Sequence, residues 1–135
     1  MAFNESLASI SLAADASIAK YTGVPGQPGS AVPNSGFQYR FVKVTGKAQC
    51  GLATAAADRV VGVLQNKPQV NGQAATVGVW GVSLITAGGA IAAGDLLASD
   101  AEGRAVKAAN AGEAKGVALS ASANAGELVS ILLQL

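Results

Sequence analysis

The sequence predicts a mainly β domain, built as a small barrel or sandwich, and three observations carry that expectation. Short runs of Val, Ile, Leu and aromatic residues alternate with polar ones, as at Phe37–Thr45 and Leu128–Leu135. Glycine, 17 of 135 residues, punctuates those runs. Short strands separated by such turn signals point to a sandwich or barrel. The third observation is the apolar content: 50% of residues are hydrophobic, only 4% are aromatic, and Ala and Val dominate. A core of small side chains suits closely approaching sheets better than a wide ligand cavity. A chain of this length is expected to form one domain and to bury about two-thirds of its unfolded surface.

The elements follow in order. Ala8, Ile10, Leu12 and Ala14 alternate with Ser9 and Ser11, which predicts a strand or extended arm. Residues 23–36 hold three of the four prolines, Pro25, Pro28 and Pro33, among several glycines. Proline removes amide donors and glycine resists a fixed conformation, so regular structure should stop there. That stretch reads either as a surface loop or as the root of an arm that lies on a neighbour. The expected division is an N-terminal arm and linker over 1–36 and a β domain over 37–135. Phe37 to Thr45 reads as the clearest strand, with a β-bulge where the apolar phase slips at Phe41–Val42. Thr45–Lys47 is a turn, and 51–58 is a loop or one helical turn. Val60, Val61, Val63 and Leu64 form a strand, Asn66–Gly72 a polar loop, and Ala74–Ile85 a long strand. Gly94–Lys107 is a hairpin: Leu96 and Leu97 in its first strand, Asp100, Glu102 and Gly103 at the turn, Ala105 and Val106 returning. A turn over Ala108–Glu113, a strand over Lys115–Ser120, a loop and a last strand from Leu128 complete the chain.

The second half resembles the middle of the chain copied once. Gly62-Val63 ahead of Gly72 matches Gly116-Val117 ahead of Gly126, and Ala75, Val77 and Val79 fall against Val129, Ile131 and Leu133. Two related β units in one body are the expectation.

Several functions are disfavoured by composition. There is no histidine and a single cysteine, Cys50. Ser-His and Cys-His pairs therefore have no base, no internal disulfide is available, and a Cys/His zinc site is close to excluded. Cys50 reads as a small buried residue. Nine Lys and Arg stand against eight Asp and Glu, with no basic cluster, so nucleic acid is not an expected partner. The uncharged run from Ala74 to Gly94 approaches the ~20 residues of a membrane span, but glycines interrupt it and Val and Ile favour a strand. Neither a membrane nor a secretory signal is expected. Asp95, Asp100 and Glu102 are the one acidic cluster, and turn formation accounts for it without a metal. No enzyme activity and no cofactor are expected.

Gly94-Asp-Leu-Leu97, Asp100-Ala-Glu-Gly-Arg-Ala105, Lys107-Ala108, Ala114-Lys-Gly-Val-Ala-Leu119 and Ala125-Gly-Glu-Leu-Val-Ser-Ile-Leu-Leu133 form an ordered set. Together they resemble the small capsid cement proteins of tailed bacteriophages, also called head decoration proteins. The similarity runs over roughly 37–135. It implies a β-tulip-like domain and a homotrimer on the outer surface of the mature capsid in the virion. There it would staple copies of the major capsid protein and resist internal pressure, commonly through an N-terminal arm. An extended segment ahead of a Pro/Gly linker suits strand addition. Ile10, Leu12 and Tyr21 are the expected capsid contacts. Phe37, Tyr39 and Phe41, with Trp80, are the expected subunit interface, though burial is the competing reading for Trp80. The alternative function is a carbohydrate- or receptor-binding module of a phage tail or fibre.

Overall fold

The computed structural model describes residues 7–18, 37–68 and 70–135. Nine strands occur among them: β1 Ala8–Ala14, β2 Phe41–Gly46, β3 Gln49–Leu52, β4 Val60–Leu64, β5 Ala74–Thr86, β6 Leu96–Ser99, β7 Ala105–Lys107, β8 Gly116–Ala118 and β9 Leu128–Leu133. Their hydrogen-bonded order is β1-β3-β2-β4-β5-β9-β8-β6-β7, and β1 also pairs with β5. The first five in that order therefore close into a five-stranded barrel. No helix among the described residues is long and apolar enough to cross a membrane. The mainly β expectation is met, and the predicted hairpin is β6–β7, with Leu97 opposite Lys107 and Ser99 opposite Ala105.

β5 is the strand that the rest is built on. Its first half pairs with β1 and β4, and its second half, from Gly81 to Thr86, pairs with β9. Gly81 sits at the changeover with φ +105°. A side chain there would be strained, so glycine lets one strand leave the barrel and found a second unit. That unit contains the second half of β5 with β9, β8, β6 and β7, drawn together by a parallel bridge between Ala87 and Ala105.

The two units share register residue for residue. Val63 lies opposite Gly78 and Leu64 opposite Val77; Val117 lies opposite Leu132 and Ala118 opposite Ile131. Val42 faces Gly62 as Leu97 faces Gly116. Ile10 faces Val77 as Ser83 faces Ile131, so β1 corresponds to the second half of β5. The turns agree as well, since Gly72 and Gly126 have the same φ of +91°.

Two cores follow. One fills the barrel: Ala14, Ile18, Val42, Cys50, Leu64, Ala75 and Val77. Their counterparts Ala87, Ile91, Leu97, Ala105, Ala118, Val129 and Ile131 fall in the other core, with Phe41, Ala53, Val60 and Val63 added from the outside of the barrel. The start of β2, at Phe41 and Val42, and the end of β4, at Val63 and Leu64, are thus buried on both faces. That explains the phase slip at Phe41–Val42: consecutive residues serve different cores, and the bulge lies one residue on, between Val42 and Lys43.

Several expectations need correction. β2 begins at Phe41, while Phe37–Tyr39 lies in a turn. Tyr39 adopts φ +63°, which a strand cannot hold. β3 was not expected, because Gly51 breaks its alternation and Cys50 and Leu52 are isolated apolar positions. Residues 8–18 do not stand off as an arm. β1 is a barrel stave between β3 and β5, and Ala14 and Ile18 are buried at 0% and 1% exposure. Residues 19–36, including Tyr21, lie outside the described residues.

Candidate interaction surface

β1, β2, β4 and β5 converge at one end of the barrel. Ile10, Val44, Val61 and Val79 line a cleft of about 620 Å³ there, with Arg59, Val60 and Leu135. Val61 and Val79 are half-buried against the barrel core. Ile10 and Val44 are 42% and 58% exposed. A second cleft of about 430 Å³ adjoins the first through Leu135 and is lined by Trp80, Gly81 and Leu132 to Leu135. Trp80 is 72% exposed, because it takes the outward position of β5 one residue before the chain changes units. Burial of Trp80, the competing reading, does not occur.

The chemistry of this surface suits a protein contact. Its floor is apolar and its lining includes Arg59, while Asp58, ion-paired to Lys43 at 2.9 Å, lines a neighbouring cleft that shares Arg59, Val60 and Leu135. Exposed apolar patches with polar rims mark association sites, and interface centres favour Trp and Arg. Asp58 is held rigidly. It accepts hydrogen bonds from the backbone N–H of Thr54 (2.8 Å) and Ala55 (3.1 Å), from Lys43 Nζ and from the Thr54 hydroxyl. These bonds, the Thr54 amide first and Lys43 next, lower its carboxyl to about 2. A carboxyl depressed in the folded state stabilises the fold above its unfolded value near 4 and loses that contribution as pH falls toward about 2. Acid unfolding of Asp58→Asn, followed by circular dichroism, should therefore be flatter between pH 4 and 2 than that of the unaltered protein.

The remaining candidates are placed as follows. Phe41 is fully buried between the units and is closed to any neighbouring molecule. Phe37 is half-buried, packed on the barrel core and lying under the Arg40 guanidinium at 5.1 Å. Tyr39 is half-buried, and its carbonyl accepts from the Thr86 N–H at 2.7 Å, joining the units. Arg40 adds a second tie, donating from Nη1 to the Glu102 carbonyl at 2.9 Å. Leu12 is half-buried against the barrel core, and Ile10 is exposed at the mouth. Of the expected contacts, Ile10 and Trp80 border this surface and Phe41 does not. Val44, Val61, Val79 and Leu135 were missed as surface residues. Their alternation is that of core positions, and only the open end of the barrel exposes them.

No cluster of His, Cys, Asp or Glu able to hold a metal occurs among the described residues. The oxygens of Asp100 accept from the Glu102 and Arg104 amides (2.8 Å each) and from Arg104 Nε (2.9 Å), which is turn-building. Cys50 is buried in the barrel, and desolvation, with the nearby Asp15 charge, raises its thiol to about 11. A thiol so raised is inert at neutral pH.

Comparison with known proteins agrees with this fold. The crystal structure of the head fiber gp8.5 N base of bacteriophage phi29 superposes with a TM-score of 0.63, covering 96% of this chain and 95% of that one. At 16% identity it shows a shared fold. No curated protein matches the sequence. A family model described as phage cement protein matches residues 13–135, a span that takes in the last two residues of β1 and everything after it, and the chain belongs to that family.

Proposed function

We propose that this protein binds the outer surface of the mature phage capsid as a homotrimer and holds neighbouring major capsid protein subunits together against the pressure of packaged DNA. Family membership supports the coarser part, a structural and capsid-associated component of the virion. The observation that carries the finer part is the continuous apolar surface from Ile10 and Val44 to Trp80 and Leu135, which suits protein contacts. Contacts that are weak singly become strong when a trimer repeats them over a lattice.

A receptor- or carbohydrate-binding module is the second reading, favoured by the exposure of Trp80. Its cleft, however, is lined by Gly81, Leu132, Leu133, Gln134 and Leu135 and has no carboxylate side chain to bond sugar hydroxyls. The protein-contact reading is therefore preferred.

Co-sedimentation with expanded capsids of the source phage, stripped of this protein, tests the proposal. Saturable pelleting is expected, with a mass in free solution of three chains. Absence of pelleting at any concentration would overturn the cement role, and quenching of Trp80 fluorescence by a polysaccharide would favour the second reading. A chain lacking residues 1–6 keeps β1 whole and tests the N-terminus separately: loss of pelleting by that form alone would locate a capsid contact there.

A further inference from the structure

Inside the chain, the second unit is closed by the first. Its core is completed by Phe41, Ala53, Val60 and Val63, which lie on the outer face of the barrel. Backbone bonds fix the contact: the Phe41 N–H donates to the Gly103 carbonyl at 2.8 Å and the Thr86 N–H to Tyr39. Gln65 Nε2 adds a bond to Ser83 Oγ at 2.8 Å. Because the units share register, each half of this contact has a counterpart elsewhere on the molecule.

The covered half is matched by the barrel mouth. Ser83, Ser99 and Leu133 of the second unit, all buried, correspond to Ile10, Val44 and Val79 of the first. The substitution pattern runs against solvent exposure. The covered unit has Ser at two positions where the uncovered unit has Ile and Val. Apolar residues at exposed counterparts of covered positions mark a surface that meets another molecule.

The covering half also has a counterpart. Phe41 and Val63 correspond to Leu96 and Val117 on the outside of the second unit. Leu96 is exposed at 39%. One molecule therefore carries an open socket on its first unit and an unused plug on its second.

Resting on the homo-oligomer reading above, we propose that copies join head to tail: the Leu96–Val117 face of one copy seats on the Ile10–Val44–Val79 mouth of the next. Such a contact uses two different patches per molecule and builds a ring where the rotation closes. The contact relies on side chains. The Ala13 N–H at the socket is already bonded to the Ala48 carbonyl at 2.8 Å, so the backbone ties used inside the chain are not free.

Val44→Asp and Leu96→Asp test this, with Ile10→Asp as a second socket variant and thermal melts to verify folding of each. An aspartate forced against an apolar face should weaken association about tenfold or more in sedimentation equilibrium. The decisive sample is the equimolar mixture of Val44→Asp and Leu96→Asp. Each carries one intact patch, and those patches complement each other, so dimers should form in the mixture and not in either variant alone. Unaltered association of folded variants would overturn the proposal and leave homo-oligomerisation standing. Variants that fall apart without rescue on mixing would overturn it in favour of a like-to-like contact. A monomeric parent protein would overturn the head-to-tail contact and the homotrimer together, and capsid pelleting would still judge the cement role independently.

Discussion

Removal of residues 1–36 is expected to abolish the folded state, not to trim an appendage. The cut takes away β1, which runs antiparallel to β5 from Ala8 to Ala13 and parallel to β3 at Ala13 and Ala14. Two strands lose a neighbour at once, and the barrel opens. Ala14 and Ile18 leave the core, and the Asp15 carboxylate no longer receives the Thr45 hydroxyl at 2.7 Å. Burial of an Ile side chain alone contributes about 2 kcal/mol, and a domain of this size has a margin of only about 5–15 kcal/mol. Circular dichroism and thermal unfolding should show no cooperative transition for the 37–135 fragment, whereas a chain lacking only 1–6 should melt like the full protein. A cooperative 37–135 fragment would mean that β1 is dispensable and the barrel closes without it.

The second large effect concerns a pair of glycines. At Gly62 a Cβ would collide with the Gly78 carbonyl oxygen and lie 2.7 Å from Val77 Cγ1. At Gly116 it would collide with the Leu132 carbonyl oxygen and lie 2.8 Å from Ile131 Cγ1. The obstacle in each case is backbone of the paired strand, which cannot rotate away. Gly62→Ala and Gly116→Ala should each cost about 2–3 kcal/mol, the upper part of the range for overpacked sites, and lower Tm by roughly 10 °C. Gly89→Ala, with nothing within 4 Å, is the control and should fall within about 0.5 kcal/mol of the parent. Equal losses at Gly62 and Gly116 would also show that the two units rest on the same packing contact. A neutral result at either position would mean that its strand pair is looser than described.

Much of the architecture was legible because strands announce themselves by period and turns by residue type. The β6–β7 hairpin could be placed from Leu96-Leu97, Asp100, Gly103 and Val106 alone. Asp100 binds the turn's own amides, and Gly103 takes φ +74°. β3 was not legible, since four residues with a central glycine carry no period. Nor was the start of β2, where Phe37 and Tyr39 keep the spacing of a strand but sit in a turn. Phe41 was mistaken for an interface residue because a buried aromatic and an interfacial one have the same sequence signature. The interaction surface was half legible. Trp80 stood out by type, while Val44, Val61 and Val79 could not, because nothing local to a strand records whether its end is covered.

The class of fold, the spacing of the turns, the doubling of the β unit and the absence of histidine could all be read from the residues in order. Those properties depend on residue type and short-range order, which the chain carries in every conformation. That residues 8–14 complete a barrel, that β5 belongs to two units at once, and that one unit is closed by the other while its counterpart stays open became visible only in the folded chain. These are questions of which distant segments meet. The same alternating Val and Ile serve a core, a seam between units or an exposed mouth, according to what the rest of the chain lays against them.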